Sequence, residues 1–198
     1  MAFWLINPGP DRSYGAMEGL QWITAGLMQD TLERARTSPR LRTNFNFHQS
    51  MEENPHRFLN VMLRGTYIQP HQHMRPPKAE SFLILEGSVA FLIFSDTGKL
   101  SEAGLLGSDL PPDSSFCQSH GLPGVPASAV GVDIVPGLWH TLVVLSDHAV
   151  CYEVKPGPYR PADDKEFASW APAEGESGVS AFLESMEGQL AERWRAGP

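Results

Sequence analysis

Gly65-Thr66-Tyr67-Ile68-Gln69-Pro70-His71-Gln72-His73 is followed by Glu80 and Gly87, and Pro136-Gly137-Leu138-Trp139-His140 comes later. His71, His73 and His140 with Glu80 make three imidazoles and one carboxylate. That donor set suits one divalent cation, such as Mn, Fe, Ni, Co, Cu or Zn. Four protein ligands leave a five- or six-coordinate ion one or two positions for another molecule. With seven His in the chain, an isolated His-x-His is a weak signal and ordinary structural histidines are the alternative. The combined spacing carries the metal reading.

Rigid elements must hold these groups. His71 and His73 stand at i and i+2, so on a strand both rings project from one face. Glu80 opens the apolar run Ser81-Phe82-Leu83-Ile84-Leu85, a buried strand that enters a turn at Gly87. His140 follows a Pro-Gly turn and leads into Thr141-Leu142-Val143-Val144-Leu145, another strand. Asn44-Phe45-Asn46-Phe47-His48 alternates, with two aromatics on one face and two amides and an imidazole on the other. The alternation does not say which face is inside. Further strands are expected over 57–64, 66–69, 89–94 and 130–154. Residues 101–129, rich in Ser, Gly and Pro, read as a long irregular insertion.

The spacing resembles the two cupin motifs. The first usually reads G-x5-HxH-x3-4-E-x6-G. Gly65 to His73 and Glu80 to Gly87 match, but six residues, Met74 to Ala79, separate His73 from Glu80. In the second, Gly131 to Pro136 is one residue short and Pro136 abuts Gly137. Ser38-Pro39-Arg40-Leu41-Arg42, the Asn44 to Gln49 stretch, Pro76-Pro77-Lys78, Gly157-Pro158-Tyr159 and Trp170-Ala171-Pro172 resemble the WbuC family of cupin-fold metalloproteins over roughly 23–100 and 130–190. That resemblance implies a mainly β fold, a single jelly-roll (double-stranded β-helix) barrel, one divalent metal and a link to bacterial surface polysaccharide. It names no reaction.

The expected organisation is an arm over 1–19 and a cupin domain over 20–198. Within the domain lie a helix at about 20–37, a barrel at about 42–155 and a C-terminal helix at about 178–195. Thr24 is the candidate cap of the first helix, and Val179, Phe182, Leu183, Met186, Leu190 and Trp194 mark the last. The formal charge of −8 argues against nucleic acid or an anionic membrane as partner. Neither a bilayer-spanning apolar run nor a basic leader is visible, so a cytoplasmic protein is expected. The apolar Phe3, Trp4, Leu5 and Ile6 could cross onto a partner in a homodimer. Cys117 and Cys151 make no disulfide framework. Cys151 reads as a small core residue, and Cys117 with His120 lacks a second half for a zinc site.

Other residues have two readings each. His48 and Tyr67 are candidate proton carriers, or else a solvated imidazole and a core aromatic. Arg57 and Lys78 are candidate contacts to a ligand, or solvated side chains. Arg40 and Arg42 could grip an anion but read better as a solvated face. Trp139 should face away from His140, and Trp170 and Trp194 should anchor the C-terminal segment. Three functions follow. One is a metal-dependent enzyme on a small polar molecule, such as a sugar or sugar nucleotide, in which the cation polarises a carbonyl while His48 or Tyr67 moves a proton. Isomerisation or epimerisation fits that reading best, and an Fe-dependent dioxygenase uses the same ligands. The second is a non-catalytic metal- or sugar-binding module. The third is a metal that only staples the barrel.

Overall fold

The computed structural model describes residues 19–160 and 165–196; the arm's Phe3, Trp4, Leu5 and Ile6 lie outside them. In chain order the elements are α1 (Ala25–Arg36), β1 (Arg42–Asn46), β2 (His56–Leu63), β3 (His71–Gln72), β4 (Glu80–Glu86), β5 (Ser88–Phe94), β6 (Leu100–Gly107), α2 (Ser115–His120), β7 (Gly131–Ile134), β8 (Trp139–Val144), β9 (His148–Lys155), β10 (Glu166–Phe167) and α3 (Val179–Arg195). The fold is mainly β: two antiparallel five-stranded sheets, ordered β1-β2-β9-β4-β7 and β10-β3-β8-β5-β6, face each other with helices outside. No described helix is long and apolar enough to cross a membrane.

Apolar side chains fill three layers. Met62, Phe82, Val89, Phe91, Leu142, Val144, Ala149 and Cys151 pack between the sheets. Alternate residues on the same strands point outward. Leu59, Val61 and Val150 with Phe45 lie under Leu32 and Ala35 of α1. Ala90, Leu92, Phe94 and Val143 lie under α2 and α3. Strands buried on both faces carry long apolar runs, which is why β5 and β8 show so little polar alternation.

The cap is Thr24, whose hydroxyl accepts from the Leu27 N–H. The helix therefore begins at Ala25, and Leu20, Trp22 and Ile23 are exposed ahead of it. The last helix matches the sequence reading. Residues 101–129 do not form an irregular insertion. Leu100–Gly107 pairs along β5, and α2 buries Phe116 and Cys117 completely. Its weak signal has a physical cause: small residues (Ala103, Gly104) mask the strand, and the helix is too short to show a period. Cys117 is a core residue there, with its thiol toward the Leu110 carbonyl. Residues 66–70 are not a strand.

Candidate metal centre

Three glycine-rich or proline-rich turns deliver the ligands. Gly87 closes the β4–β5 turn at φ +79°, where an added Cβ would lie 2.2 Å from the His148 carbonyl, so only glycine fits. Gly137, at φ +86°, turns the chain into β8. His71 on β3 pairs directly across from His140 on β8. The six residues after His73 fold back on themselves through a Met74–Pro77 bridge and a Lys78 N–H donated to the His73 carbonyl. That loop absorbs the extra length and starts β4, in the opposite sheet, at Glu80.

The four expected ligands converge. One ligand atom from each of His71, His73, Glu80 and His140 lies within 4.8 Å of the others, and all four residues are buried. Atoms about 2.0–2.3 Å from a common centre can be no more than about 4.5 Å apart, so little contraction is needed. Nδ1 of His71 lies 2.9 Å from the Gln69 carbonyl and Nδ1 of His140 lies 2.8 Å from the Leu138 carbonyl. A carbonyl only accepts, so each Nδ1 carries a hydrogen, and in the neutral ring each Nε2 offers its lone pair. His140 Nε2 then faces Glu80 Oε2 at 3.4 Å, and both atoms are buried without a hydrogen bond among the described residues. Two acceptors held face to face in the interior repel unless a cation or a proton lies between them. The donor set and this geometry fit a divalent cation of the hard-to-borderline class.

A charged row backs the ligands. Lys155 on β9 places Nζ 3.3 Å from Glu80 Oε1 and 3.4 Å from Glu153 Oε1, with all three residues buried. Burial, the largest single influence, opposes the Glu80 charge, but Lys155 together with His140 and His73 outweighs it and holds the carboxyl well below its ordinary range. Burial pushes His71 well below its usual value, and Lys165 adds to this. The imidazole is thus neutral, as a ligand must be. Burial also pushes Glu153 up, against Lys155 and together with the Glu80 charge. A small cavity of about 30 Å³ adjoins the cluster, lined by Asn60, Glu153, Lys165, His71, Glu80 and His140 among others. Glu153, Lys155 and Asn60 escaped the sequence reading. Their signal was there: Glu153 and Lys155 share the parity of the core residue Cys151, so a charged pair was due on a buried face.

The remaining candidates fall elsewhere. Tyr67 is not beside the ligands. It belongs to the apolar layer under α3, and its hydroxyl donates to the Pro172 carbonyl at 2.7 Å. The irregular 66–70 stretch breaks the parity that linked it to His71. Arg57 falls on the face of β2 opposite Phe58 and Asn60 and pairs with Glu53 at 3.5 Å. Lys78 is buried, with Nζ 3.3 Å from the Pro158 carbonyl. His48 does turn inward. Its ring stacks on His56 with centroids 4.1 Å apart, and its Nε2 is buried without a hydrogen bond among the described residues. Burial lowers its pKa. Arg42 and Arg40 clamp Glu174 of the C-terminal segment. Trp139 faces outward toward Trp170, and Trp194 packs on Phe116.

Three buried imidazoles and a carboxylate thus lie between two five-stranded antiparallel sheets, an arrangement that could hold a metal ion in a mainly β fold. Residues 23–106, less than half of the chain, match a domain of unknown function (DUF6016). No curated protein matches. Among solved structures, the capsular polysaccharide assembling protein CapF from Staphylococcus aureus is 18% identical with a TM-score of 0.46, and the match takes in 66% of this chain but only 30% of CapF. Protein SO0799 from Shewanella oneidensis is 13% identical over 83% of this chain and 92% of its own, with a TM-score of 0.46. An oxalate decarboxylase from B. subtilis is 15% identical over 64% of this chain and 27% of its own, with a TM-score of 0.42.

Proposed function

We propose that this chain is a mononuclear metal-binding cupin acting on a small polar metabolite of the sugar or sugar-nucleotide kind, by isomerase- or epimerase-like chemistry. The facing acceptors His140 Nε2 and Glu80 Oε2, inside a four-ligand cluster that opens on a cavity, carry the reading. A cation bound by His71, His73, Glu80 and His140 supplies Lewis acidity toward a ligand oxygen. The chain supplies the rest. Lys155 keeps Glu80 ionised and fixes its orientation. Glu153, raised by burial, can hold a proton beside the cavity. The stacked rings of His48 and His56 extend the polar interior across the end of the first sheet.

Metal analysis of protein purified from its native host should find about one equivalent. The doubly substituted His73→Ala, His140→Ala protein should hold none; stoichiometric metal there would refute the ligand assignment. Metal-loaded protein is then incubated with a panel of nucleotide sugars. Product formation supports the enzyme reading. Binding without turnover across metals and substrates points instead to a non-catalytic module.

A further inference from the structure

We propose that Asn60 and Glu153 form the ligand-recognising wall of this centre, and that Asn60 Oδ1 accepts a hydrogen bond from a ligand hydroxyl next to the ligand's cation-binding oxygen. The ligand class is a hydroxycarbonyl compound, a 2-hydroxy acid or a vicinal diol. The inference rests on the metal-binding reading above.

Asn60 pairs with Cys151 across β2 and β9, so Asn60 and Glu153 lie one step apart on the inner face. The Asn60 amide nitrogen donates to Glu153 Oε2 at 3.2 Å. With Glu153 Oε2 as the acceptor, the nitrogen is the end of the amide that faces Glu153. This leaves Oδ1 as the free end, buried and without a hydrogen bond among the described residues. An acceptor left so in the interior is costly unless a donor reaches it. The other oxygen of Glu153 faces Lys155. Asn60 and Glu153 line the same cavity as His71, Glu80 and His140. Its volume, about 30 Å³, leaves room for a water- or hydroxyl-sized group. A group lodged there meets an acceptor on the Asn60 side and the lone-pair nitrogens of the imidazoles on the other. A hydroxyl satisfies both demands: its hydrogen points to Asn60, and its carbon neighbour presents an oxygen to the cation. A keto or ether oxygen in the same place leaves Oδ1 without a donor, and sites built to hydrogen-bond a hydroxyl discriminate strongly against analogues lacking it.

The test compares pairs that differ in that donor. Lactate is set against pyruvate for the anionic case and hydroxyacetone against methoxyacetone for the neutral one. Binding to Mn²⁺-loaded protein is followed by water-proton relaxation. The hydroxyl member of at least one pair should bind about tenfold tighter to wild type, and the pair showing this tells whether the hydroxyl sits beside a carboxylate or a carbonyl. Asn60→Leu, of similar volume, should reduce the preference to about twofold or less, with manganese stoichiometry unchanged. Glu153→Gln should do the same without altering Asn60, because the new amide can donate to Oδ1 and occupy the acceptor. Equal binding within both pairs, or an undiminished preference in both variants, overturns the inference while leaving the metal reading intact. Wild type that holds no manganese overturns both.

Discussion

At the scale of single residues, the centre depends on charges that must stay matched in a dry interior. Lys155 separates two buried carboxylates. Removing one member of such a set leaves uncompensated charge and costs about 3–5 kcal/mol. Metal-free Lys155→Met should therefore melt well below wild type in a thermal scan, and added Zn²⁺ should recover part of the loss by binding the folded state. An unchanged melting temperature would show that Lys155 is not the counter-charge. Glu153 gives the complementary pH test. Its carboxyl is raised in the folded state, by burial first and against Lys155. A raised carboxyl stabilises fully below its unfolded value, about 4.3, and that contribution is lost as pH rises through the folded value. Metal-free wild type should thus lose stability relative to Glu153→Gln from about pH 4.5 toward neutrality. Denaturant melts at intervals of pH would show this; a constant difference would contradict the assignment.

At the scale of elements, the two arginines before and at the start of β1 act as a clasp. The Arg42 guanidinium donates to the Thr66 hydroxyl and, at 2.7 Å, to the Tyr67 carbonyl, and it pairs with Glu174. Burial pulls its pKa down to about 10, with Glu174 pulling the other way. Tyr67 completes the clasp by donating to Pro172. These bonds hold the segment leading to α3 against the stretch that leads to His71. Arg42→Met should lower unfolding free energy by about 1.5–3 kcal/mol, the range for hydrogen bonds to charged groups, as read by urea melts. It should leave metal stoichiometry unchanged. The α2 segment makes a similar prediction through packing. Phe116 is 0% exposed beside Trp194, so Phe116→Ala should cost about 3–5 kcal/mol. A loss under 1 kcal/mol would mean that the layer under α3 can collapse around the gap.

At the scale of the whole molecule, β7 is an edge strand of the first sheet among the described residues, and Leu83 and Leu85 of the neighbouring β4 are 50% and 42% exposed. An edge strand next to exposed apolar side chains favours pairing with another copy. We therefore expect a homodimer through this face. Sedimentation at micromolar concentration should give twice the chain mass, and Leu83→Glu should give the monomer. A wild-type monomer would count against it.

The cluster of His71, His73, Glu80 and His140 was legible in the sequence because its determinants are local. An i, i+2 histidine pair, a carboxylate opening an apolar run and a Pro-Gly turn before a histidine each constrain only a few residues of backbone. The Thr24 cap and the period of α3 were legible for the same reason. Tertiary structure decided which face of Asn44 to His48 is inside: α1 covers Phe45, so the aromatics go under the helix and the imidazole turns inward. An alternating pattern cannot report this when both faces are covered. Tertiary structure also removed Tyr67 from the centre, because parity does not survive irregular backbone. The wall of the centre was set the same way. Lys155 meets Glu80, and Asn60 meets Glu153, across 75 and 93 residues of chain. Only sheet pairing brings such residues together, since a buried charge is tolerable only where the partner strand delivers its opposite.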